Sequence, residues 1–460
     1  MVEPWHWRAI PLEGRTGSQI FESLFYAPGS VGTLLESPYP TPPDYPHLSR
    51  YSICAGAPRQ GKLWTPPLGD ILPFLKGLLN SSPPPSPCPH LPFSGGWLGW
   101  LSYDLAREIE NIPAINPDTL PFPVAYWYEP LDFAVLDHAG QILWLAVSNV
   151  KDLDYYQNLL EAHTGAKLSP PLAPSLLDGN QLRFCTDKDD YEEAVRKALR
   201  YIKAGDVFQT NLSLRFQAAT TADGWEIYKR LQRINPSPFA SYWQTPAGIV
   251  ISCSPERLVQ LWAHKAQTRP IAGTRARGGD ADTDARLAGD LLANVKERAE
   301  HIMLVDLERN DLGKVCQWGS IAVDELLTIE RYSHVMHLVS NVRGTLKPQY
   351  DGVDLIRAMF PGGTITGCPK VRCMEIIEEL EPLRRSLFYG SCGYIDTRGN
   401  LDLNILIRTL LLTPANGFYN VWGQVGAGIV ADSDPNKEWR ESLQKGQAQL
   451  TALGLIDNVI

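Results

Sequence analysis

Residues 186–205 show the clearest helical pattern in the chain. Their apolar side chains recur at the i, i+3, i+4 and i+7 spacing of a helix with one buried face. These residues are Tyr191, Ala194, Val195, Ala198, Leu199 and Ile202. Thr186 or Asp187 can cap the start of this helix, and Gly205 supplies a stop. The next segment, FQTNLSLRF (208–216), alternates apolar and polar residues, which predicts a strand.

The same criteria predict many more elements downstream. Strands are predicted at 248–254, 337–344, 391–396, 404–412 and 419–430. Helices are predicted at 285–304, 353–359, 369–380 and 436–452. Shorter strand-like runs, including FAVLDH and QILWLAV, come earlier in the chain. Many strands without regular alternation with helices indicate an α+β fold with large antiparallel sheets, not a doubly wound parallel sheet.

Proline-rich segments divide the chain. SSPPPSPCPHLP (81–92) predicts an exposed loop, because proline neither pairs into a sheet nor continues a helix. KLSPPLAPSLLDGN, inside 165–181, predicts the main boundary. We therefore expect an N-terminal domain at 1–165 and a second domain at 182–456.

The composition excludes several classes of protein. Of 460 residues, 44% are hydrophobic and 20% charged, which excludes a disordered or fibrous chain. The 42 Lys and Arg against 51 Asp and Glu give a net charge of −9 without a strong basic patch, so a nucleic-acid surface is not expected. The sequence shows no signal peptide, no membrane-length apolar run and no CxxC pair among its eight cysteines. We expect a cytoplasmic protein with reduced thiols.

Two glycine-rich segments invite a nucleotide-binding interpretation. FPGGTITGCPK (360–370) lacks the lysine of GxxxxGK[ST], since Cys368 stands in its place. GQVGAGIVADS (423–433) is not GxGxxG. Their bare backbone N–H groups remain suited to an anion, and Pro369 suggests that Thr364 to Gly367 lies at a helix N-terminus. The alternative is that both segments are tight turns without a ligand.

Carboxylates cluster on two predicted helices. Glu297 and Glu300 share one face of the first, opposite an apolar stripe. That stripe is Leu292, Val295, Ala299, Ile302 and Met303. Glu438, Glu441 and Lys445 share a face of the second helix. Carboxylates from two helices can hold Mg²⁺ with water completing its octahedron, but a solvated face with a Glu–Lys pair gives the same pattern.

Taken together, these segments resemble the chorismate-utilising enzymes, which include the anthranilate, aminodeoxychorismate, isochorismate and salicylate synthases. The resemblance covers nearly the whole chain and rests on motifs in a fixed order. These are LLES, GGWLGWLSYDLAR, GDVFQTNLSLRF, SPERLV, PIAGTR, KERAEHIMLVDLERNDLG, HLVSNVRG, FPGGTITGCPKVR, IRTL and GAGIVADS. The fold implied is two α/β subdomains whose large antiparallel sheets pack as a sandwich, with the site between them.

The resemblance also implies roles for individual residues. The Mg²⁺ ligands would be Glu300 and Glu441, with Glu297 and Glu438 close by. The carboxylates of chorismate would be held by Thr364, Arg408, Lys445 and the backbone around Gly426 and Gly428. The catalytic residues would be Glu256, as the acid that assists departure of the 4-hydroxyl, His337, and Thr274 in the same pocket.

The branch of the family depends on single positions. The resemblance implies that the water-using members of the family carry a lysine base at the position of Gln209. Glutamine cannot deprotonate water, so ammonia is the expected nucleophile. The sequence contains no G-x-C-x-G glutaminase motif, which implies a glutaminase partner. FPGGTITGCPKVRC, FQTNLSLRF and NPSPFASYW favour the aminodeoxychorismate branch of folate and para-aminobenzoate synthesis. Ala272 favours the anthranilate branch of tryptophan synthesis, because alanine cannot form the covalent intermediate of a PIKGT lysine.

Two further hypotheses follow from the resemblance. Leu35, Glu36 and Ser37 in LLES resemble a tryptophan-binding element, or they are simply the end of a strand. A catalytically silent relative that binds tryptophan or a partner is the alternative from another functional class. It predicts a broken metal site, which the retained glutamates argue against.

Overall fold

The computed structural model describes residues 4–41, 48–80, 88–162, 182–332 and 335–455. The described helices are α1 (Gly17–Leu24), α2 (Ile71–Leu79), α3 (Ala106–Ile109), α4 (Asp152–Ala162), α5 (Lys188–Ala204), α6 (Gly224–Ile234), α7 (Ala281–Ala293), α8 (Val295–Val315), α9 (Gly352–Met359), α10 (Lys370–Leu380) and α11 (Pro435–Ala452).

The strands in the first half of the chain are β1 (His6–Pro11), β2 (Gly32–Glu36), β3 (Tyr51–Ala55), β4 (Pro58–Trp64), β5 (Gly96–Leu101), β6 (Ala125–Pro130), β7 (Phe133–Asp137), β8 (Ile142–Val147), β9 (Arg183–Phe184) and β10 (Gln209–Thr220). Those in the second half are β11 (Phe239–Thr245), β12 (Gly248–Ser254), β13 (Arg257–Trp262), β14 (Lys265–Arg269), β15 (Ile271–Ala276), β16 (Ala322–Arg331), β17 (Val335–Thr345), β18 (Gly367–Cys368), β19 (Ser391–Asp396), β20 (Leu401–Asn404), β21 (Thr409–Ala415) and β22 (Phe418–Ile429).

The strands form two antiparallel sheets. Sheet A has 12 strands in the order β1-β8-β7-β3-β2-β11-β12-β21-β22-β10-β18, with β9 beside β10. Sheet B has 10 strands in the order β15-β17-β14-β13-β20-β19-β5-β6-β4, with β16 beside β17. Each sheet takes strands from both sides of the boundary predicted at 165–181, and that segment lies outside the described residues. The domain division at 1–165 and 182–456 stays a prediction, and it is not a division between sheets.

The hydrophobic core is layered as helices, sheet A, sheet B and helices. One cluster joins sheet A to α1, α4, α5, α6 and α11, and another joins sheet B to α2, α3, α8, α9 and α10. A third, rich in aromatic residues, fills the space between the sheets and includes Trp100, Tyr126 and Trp243. The predicted α+β sandwich is therefore confirmed. Among the described helices, none combines the length and the apolar character needed to cross a membrane.

Helix α5 forms as the local pattern predicts. The Asp187 side chain accepts a hydrogen bond from the backbone N–H of Asp190, and Gly205 ends the helix in the left-handed region with φ 85°. The apolar face buries Tyr191, Val195 and Ala198 against sheet A.

The helix predicted at 285–304 is wrong in two respects. It is two helices, α7 and α8, because Asn294 leaves helical geometry and its side chain caps α8 by accepting a hydrogen bond from the N–H of Glu297. The predicted apolar stripe is mostly exposed, with Val295 at 79% and Ile302 at 38% exposure. The buried face of α8 instead mixes leucine and valine with charged and polar residues. These are His301, Leu304, Val305, Leu307, Glu308, Asp311, Leu312 and Val315.

The strand predicted at 404–412 is also two strands. β20 ends at Asn404 in sheet B, and β21 begins at Thr409 in sheet A. The four residues between them cross from one sheet to the other, and Arg408 takes a left-handed φ of 51° within the crossing. A second crossing lies beside it, where β12 of sheet A leads through Glu256 into β13 of sheet B.

Candidate active site

The two crossings between the sheets bring Glu256 and Arg408 together. The N–H of Ile405 donates to the carbonyl of Glu256 at 3.0 Å, and the N–H of Cys253 donates to the carbonyl of Arg408 at 3.2 Å. Each crossing thus supplies the hydrogen-bond partner of the other. These hydrogen bonds satisfy backbone groups that lose their strand partners where each segment passes from one sheet to the other.

Glu256 is a buried acid. Its residue is 5% exposed, and burial raises the pKa of its carboxyl to about 8, with the negative charge of Glu308 adding to the rise. The Thr364 hydroxyl and the positive charge of Arg408 oppose the rise in pKa. Thr364 Oγ1 does not reach full hydrogen-bond geometry with any described residue, so this opposition is incomplete. Glu256 therefore carries a proton at neutral pH.

His337 and Thr274 are cross-strand neighbours on β17 and β15. Thr274 Oγ1 lies 3.0 Å from His337 Nδ1. Burial, together with the nearby positive charge of Arg408, lowers the pKa of His337 to about 3, so the imidazole is neutral at physiological pH. Nε2 is buried without a hydrogen-bond partner in the described part of the chain, which leaves it free to meet a ligand.

Arg408 is a positive charge in this otherwise neutral group. Burial lowers the pKa of its guanidinium, and the Glu256 carboxyl opposes that change. Nη1 donates to Asn235 Oδ1 at 3.2 Å. A guanidinium between two sheet crossings is positioned to hold a carboxylate in bidentate geometry.

Strands β10 and β22 lie very close to each other near these side chains. The Asn211 amide donates to the carbonyl of Thr364 at 3.0 Å. A Cβ at Gly428 would lie 2.4 Å from Gln209 Nε2, and one at Gly426 would lie 2.4 Å from the carbonyl of Leu212. Gly426 is therefore required for the close approach of the β22 backbone to β10, while a side chain at position 428 would push the Gln209 amide aside.

The expectation that Thr364 to Gly367 lies at a helix N-terminus is wrong. Thr364 lies in a short 3-10 turn, Gly363–Ile365, and Gly367 pairs with Thr210 in sheet A. Helix α10 begins only at Lys370, with Pro369 as its N-cap. The turn is held through its carbonyl groups, because the Asn211 amide donates to Thr364 and the Arg385 guanidinium donates to Ile365 at 2.7 Å.

The predicted metal-binding carboxylates lie at one edge of the same region. Gln209 Nε2 donates to Glu300 Oε1 at 2.9 Å. Burial raises the pKa of Glu300 and of Glu438, and the charge of Glu441 raises both further. Glu441 pairs with Lys445 at 2.9 Å, and both side chains are about half exposed at 52% and 51%. The i,i+4 pair considered as the alternative is therefore formed, so the assignment of Lys445 to a chorismate carboxylate stays a prediction.

Glu297 connects the carboxylates to the Thr274 strand. Its Oε1 accepts from Arg275 Nη1 at 2.7 Å, while its Oε2 is buried with no hydrogen-bond partner in the described chain. A Cβ at Gly273, which has a φ of 69°, would lie 2.9 Å from Oε2. The glycine therefore gives this carboxylate room beside β15.

These oxygen donors fit Mg²⁺ in an open site. Within the described ranges, no three His, Cys, Asp or Glu side chains already form a compact ligand cluster. Magnesium is usually bound by one or two protein carboxylates, with waters and substrate oxygens completing the octahedron. Glu441 raises the pKa of both Glu300 and Glu438, which indicates that the three carboxylates lie in one region, and Glu297 supplies a further unpartnered oxygen, so Mg²⁺ binding by these residues stays a prediction.

Sequence patterns missed one contact and two participants. Gln209 was recognised as a position that distinguishes branches, but its hydrogen bond to Glu300 spans 91 residues. Arg275 was missed because a strand pattern does not show which helix lies above it. Glu308 was missed because a charged residue on a helix is expected at the surface. The i, i+3, i+7 spacing of His301, Leu304 and Glu308 was the one available signal.

The predicted tryptophan element lines a separate cavity. Leu35, Glu36 and Ser37 border a space of about 120 Å³ together with Tyr394 and Arg257. The Glu36 carboxylate accepts from the Ser18 N–H and hydroxyl and from the Tyr228 hydroxyl, at 2.6, 2.7 and 2.7 Å. Its side chain therefore has a structural role whether or not the cavity holds a ligand.

Comparison with known proteins identifies the family. The sequence profile of chorismate binding enzymes matches residues 52–451. An anthranilate synthase component I-like protein from Synechocystis is 61% identical over 98% of this chain and 92% of its own length. Aminodeoxychorismate synthase component 1 of Bacillus subtilis is 47% identical over 79% of this chain and 78% of its own.

A solved structure gives the same result. Anthranilate synthase component I from Streptococcus pneumoniae superposes with a TM-score of 0.76 and 31% identity, covering 87% of this chain and 92% of that one. The profile and the relatives agree on the family, and the solved structure shares the fold of two large antiparallel sheets. The chain belongs to the chorismate binding enzyme family, and it is of the anthranilate and aminodeoxychorismate synthase type.

Proposed function

We propose that this enzyme aminates chorismate with ammonia to give 4-amino-4-deoxychorismate and water, on the route to para-aminobenzoate and folate. The observation that carries the amination is the Gln209 amide, which donates to Glu300 at 2.9 Å and is confined by Gly428. An amide has no basic lone pair with which to activate water. A nucleophile that arrives already basic, such as ammonia, needs no such base.

Glu256 supports the departure of the 4-hydroxyl. A poor leaving group needs a proton as its bond to carbon breaks, and a carboxyl with a pKa of about 8 still carries one at neutral pH. Ammonia loses one proton when it forms the C–N bond, and the leaving hydroxyl gains one to depart as water. The reaction therefore consumes no net proton.

Arg408 and the neutral His337 support substrate binding from the side of the sheet crossings. Arg408 supplies bidentate donors for one carboxylate, with Thr364 and the backbone near Gly426 and Gly428 beside it. His337 adds a ring nitrogen without adding charge. Mg²⁺ held by Glu300 and Glu441, with Glu297 and Glu438 nearby, would act as a Lewis acid and template on the ring carboxylate. An acidic chain of net charge −9 thus holds a dianion through a few local cations.

A glutaminase partner is the proposed source of ammonia. The related proteins are named as component 1 or component I, which implies a second component, and this sequence has no glutaminase motif. We place the reaction in the cytoplasm, without nucleic acid or membrane as a partner. Binding of tryptophan in the cavity beside Leu35 and Ser37 stays a proposal.

The second candidate is 2-amination with loss of pyruvate, which gives anthranilate. Ala272 favours it, because this buried position on β15, two residues before Thr274, offers no nucleophile for a covalent intermediate at C2. The flanking motifs favour 4-amination. The relatives support both reactions, because the 61% identical Synechocystis protein is named anthranilate synthase component I-like, whereas the 47% identical Bacillus subtilis protein is an aminodeoxychorismate synthase.

Product identification distinguishes the two reactions. Purified protein is incubated with chorismate, Mg²⁺ and ammonium, and the products are separated and identified by mass. We expect 4-amino-4-deoxychorismate, which yields para-aminobenzoate only after the lyase is added. Anthranilate formed without the lyase would replace the first candidate by the second.

A further inference from the structure

We propose that Arg385 is a positioning residue for this reaction: its buried guanidinium joins the Gly363–Ile365 turn to strand β10 and so fixes where Thr364 meets the substrate. This inference rests on the proposed function, because Thr364 is one of the groups expected to hold a carboxylate of chorismate. Arg385 itself is not among the groups assigned to chorismate, to Mg²⁺ or to the proton of the leaving hydroxyl.

The guanidinium binds one backbone carbonyl on each of the two segments. Arg385 Nη1 donates to the carbonyl of Ile365 at 2.7 Å, and Nη2 donates to the carbonyl of Asn211 at 2.9 Å. Ile365 is the last residue of the turn that carries Thr364, and Asn211 lies on β10 where β10 pairs with β22. One planar, rigid group therefore sets the distance between the turn and the strand.

The turn and the strand are also joined directly. Asn211 Nδ2 donates to the carbonyl of Thr364 at 3.0 Å, and the N–H of Asn211 donates to the carbonyl of Thr366 at 2.9 Å. Together with the Arg385 contact, three consecutive carbonyls are held. The Thr364 hydroxyl, by contrast, has no full hydrogen bond to any residue that the structure describes. The backbone is thus fixed while the hydroxyl is left to meet a ligand.

Arg385 is itself held in a single position. Its Nε and Nη2 donate to the two oxygens of Glu381 at 3.0 and 2.7 Å, a bidentate pair whose side chains are 1% and 5% exposed. Glu381 Oε1 also accepts from the N–H and the hydroxyl of Ser213 on β10, at 2.8 and 2.7 Å. The guanidinium carbon lies 4.9 Å from the ring centre of Tyr103 and 4.7 Å from that of Tyr389.

Lysine cannot reproduce this arrangement. An ammonium is a compact charge on a flexible stem, and it lacks the planar fork that reaches Glu381, Ile365 and Asn211 at once. Arg385→Lys should therefore keep a positive charge beside Glu381 and loosen the turn. It separates the positioning of Thr364 from the presence of the buried charge.

The test is a double-mutant cycle between Arg385→Lys and Thr364→Val in the full chain, read as kcat/KM for chorismate at saturating Mg²⁺ and ammonium. In the wild-type background, Arg385→Lys should lower kcat/KM by about tenfold or more, the size of one lost hydrogen bond to a charged group. In the Thr364→Val background the same change should cost about twofold or less, because the hydroxyl that it displaces is already gone. An equal loss in both backgrounds, or no loss in the wild type, overturns the inference.

Arg59→Lys is the matched control. Arg59 is a buried arginine on β4, at the opposite edge of sheet B from β15, and it pairs with Glu129 at 2.9 Å. Its replacement should leave kcat/KM within about twofold of the wild-type value. A loss equal to that of Arg385→Lys would show that kcat/KM reports general loosening of the protein, which overturns the inference.

A second measurement does not depend on turnover. Hydrogen–deuterium exchange of the segment 360–368, followed by mass spectrometry in the free protein, should quicken about tenfold in Arg385→Lys and stay unchanged in Arg59→Lys. Glu381→Gln keeps the arginine and weakens its anchor, so it should quicken exchange in the same segment if Arg385→Lys does not fold. Unchanged exchange in this segment, or faster exchange throughout the chain, overturns the inference.

The two proposals fail separately. A wild-type protein that does not consume chorismate would overturn the proposed function. The exchange measurement would still decide whether Arg385 positions the Gly363–Ile365 turn.

Discussion

Replacing Glu256 by glutamine should make the stability of the protein less dependent on pH. The Glu256 carboxyl has a pKa of about 8 in the folded protein, against an ordinary value of 4.5. Between these values the unfolded chain releases this proton and the folded chain keeps it. The wild-type protein must therefore lose stability as pH rises from 4.5 to about 8, and the loss is complete above the folded pKa.

The size of this effect follows from the interval between the two pKa values. At about 1.4 kcal/mol per pH unit, full burial of the carboxyl corresponds to a loss on the order of 4 to 5 kcal/mol. Glutamine preserves the shape of the side chain and cannot ionise. The difference in unfolding free energy between Glu256→Gln and wild type should therefore move in favour of the variant by this amount across the same pH range.

Urea denaturation at pH steps from 5 to 9 measures this difference. Glu161→Gln, which replaces an exposed glutamate on α4, controls for the general effect of removing a carboxylate. If the difference in unfolding free energy between Glu256→Gln and wild type stays constant across this pH range, the argument is refuted. It would mean that Glu256 is ionised in the folded protein at neutral pH and cannot be the acid.

Three further predictions concern the site. Glu441→Gln should raise the Mg²⁺ concentration for half-maximal activity by about tenfold or more, since it removes a ligand charge; an unchanged Mg²⁺ dependence would reject Glu441 as a ligand. Gly428→Ala should lower kcat/KM by about tenfold, because the added Cβ would lie 2.4 Å from Gln209 Nε2 and push that amide out of place. Gly289→Ala on α7, where an added Cβ meets open space, is the control. An equal loss of kcat/KM in both variants would contradict the argument. Ala272→Lys should change the product ratio or trap a covalent adduct seen by mass; neither effect would mean that position 272 does not govern the site of amination.

The sequence predicts elements whose signals are local. α5 has its cap at Asp187, its stop at Gly205 and its apolar face within one stretch of chain, so the pattern suffices. β12 coincides with the predicted strand at 248–254 for the same reason. The α+β class follows from the number of such strands and the lack of alternation with helices.

The sequence does not predict where the chain changes layers. Residues 404–412 read as one continuous apolar strand, yet the chain passes from sheet B to sheet A at Arg408, because strand pairing is decided by distant partners. Distant partners also explain why the wrong face of α8 was predicted to be buried. Its buried face contains His301, Glu308 and Asp311, which periodicity of apolar residues assigns to solvent.

The candidate site depends almost wholly on long-range contacts. The hydroxyl of Thr274 and the ring of His337 meet across 63 residues, and Gln209 meets Glu300 across 91. Their spacing in the sequence carries no sign of these meetings, so the individual assignments came from resemblance to the family and not from the pattern. The perturbed pKa values of Glu256 and His337 are properties of burial, which only the folded structure reveals.

The most direct test of the proposed reaction is the identity of the product formed from chorismate, Mg²⁺ and ammonia by the purified chain. Mass analysis before and after addition of the lyase separates the outcomes. Amination at C4 predicts 4-amino-4-deoxychorismate first and para-aminobenzoate only after the lyase. Anthranilate without the lyase, or isochorismate formed with water in place of ammonia, would contradict it.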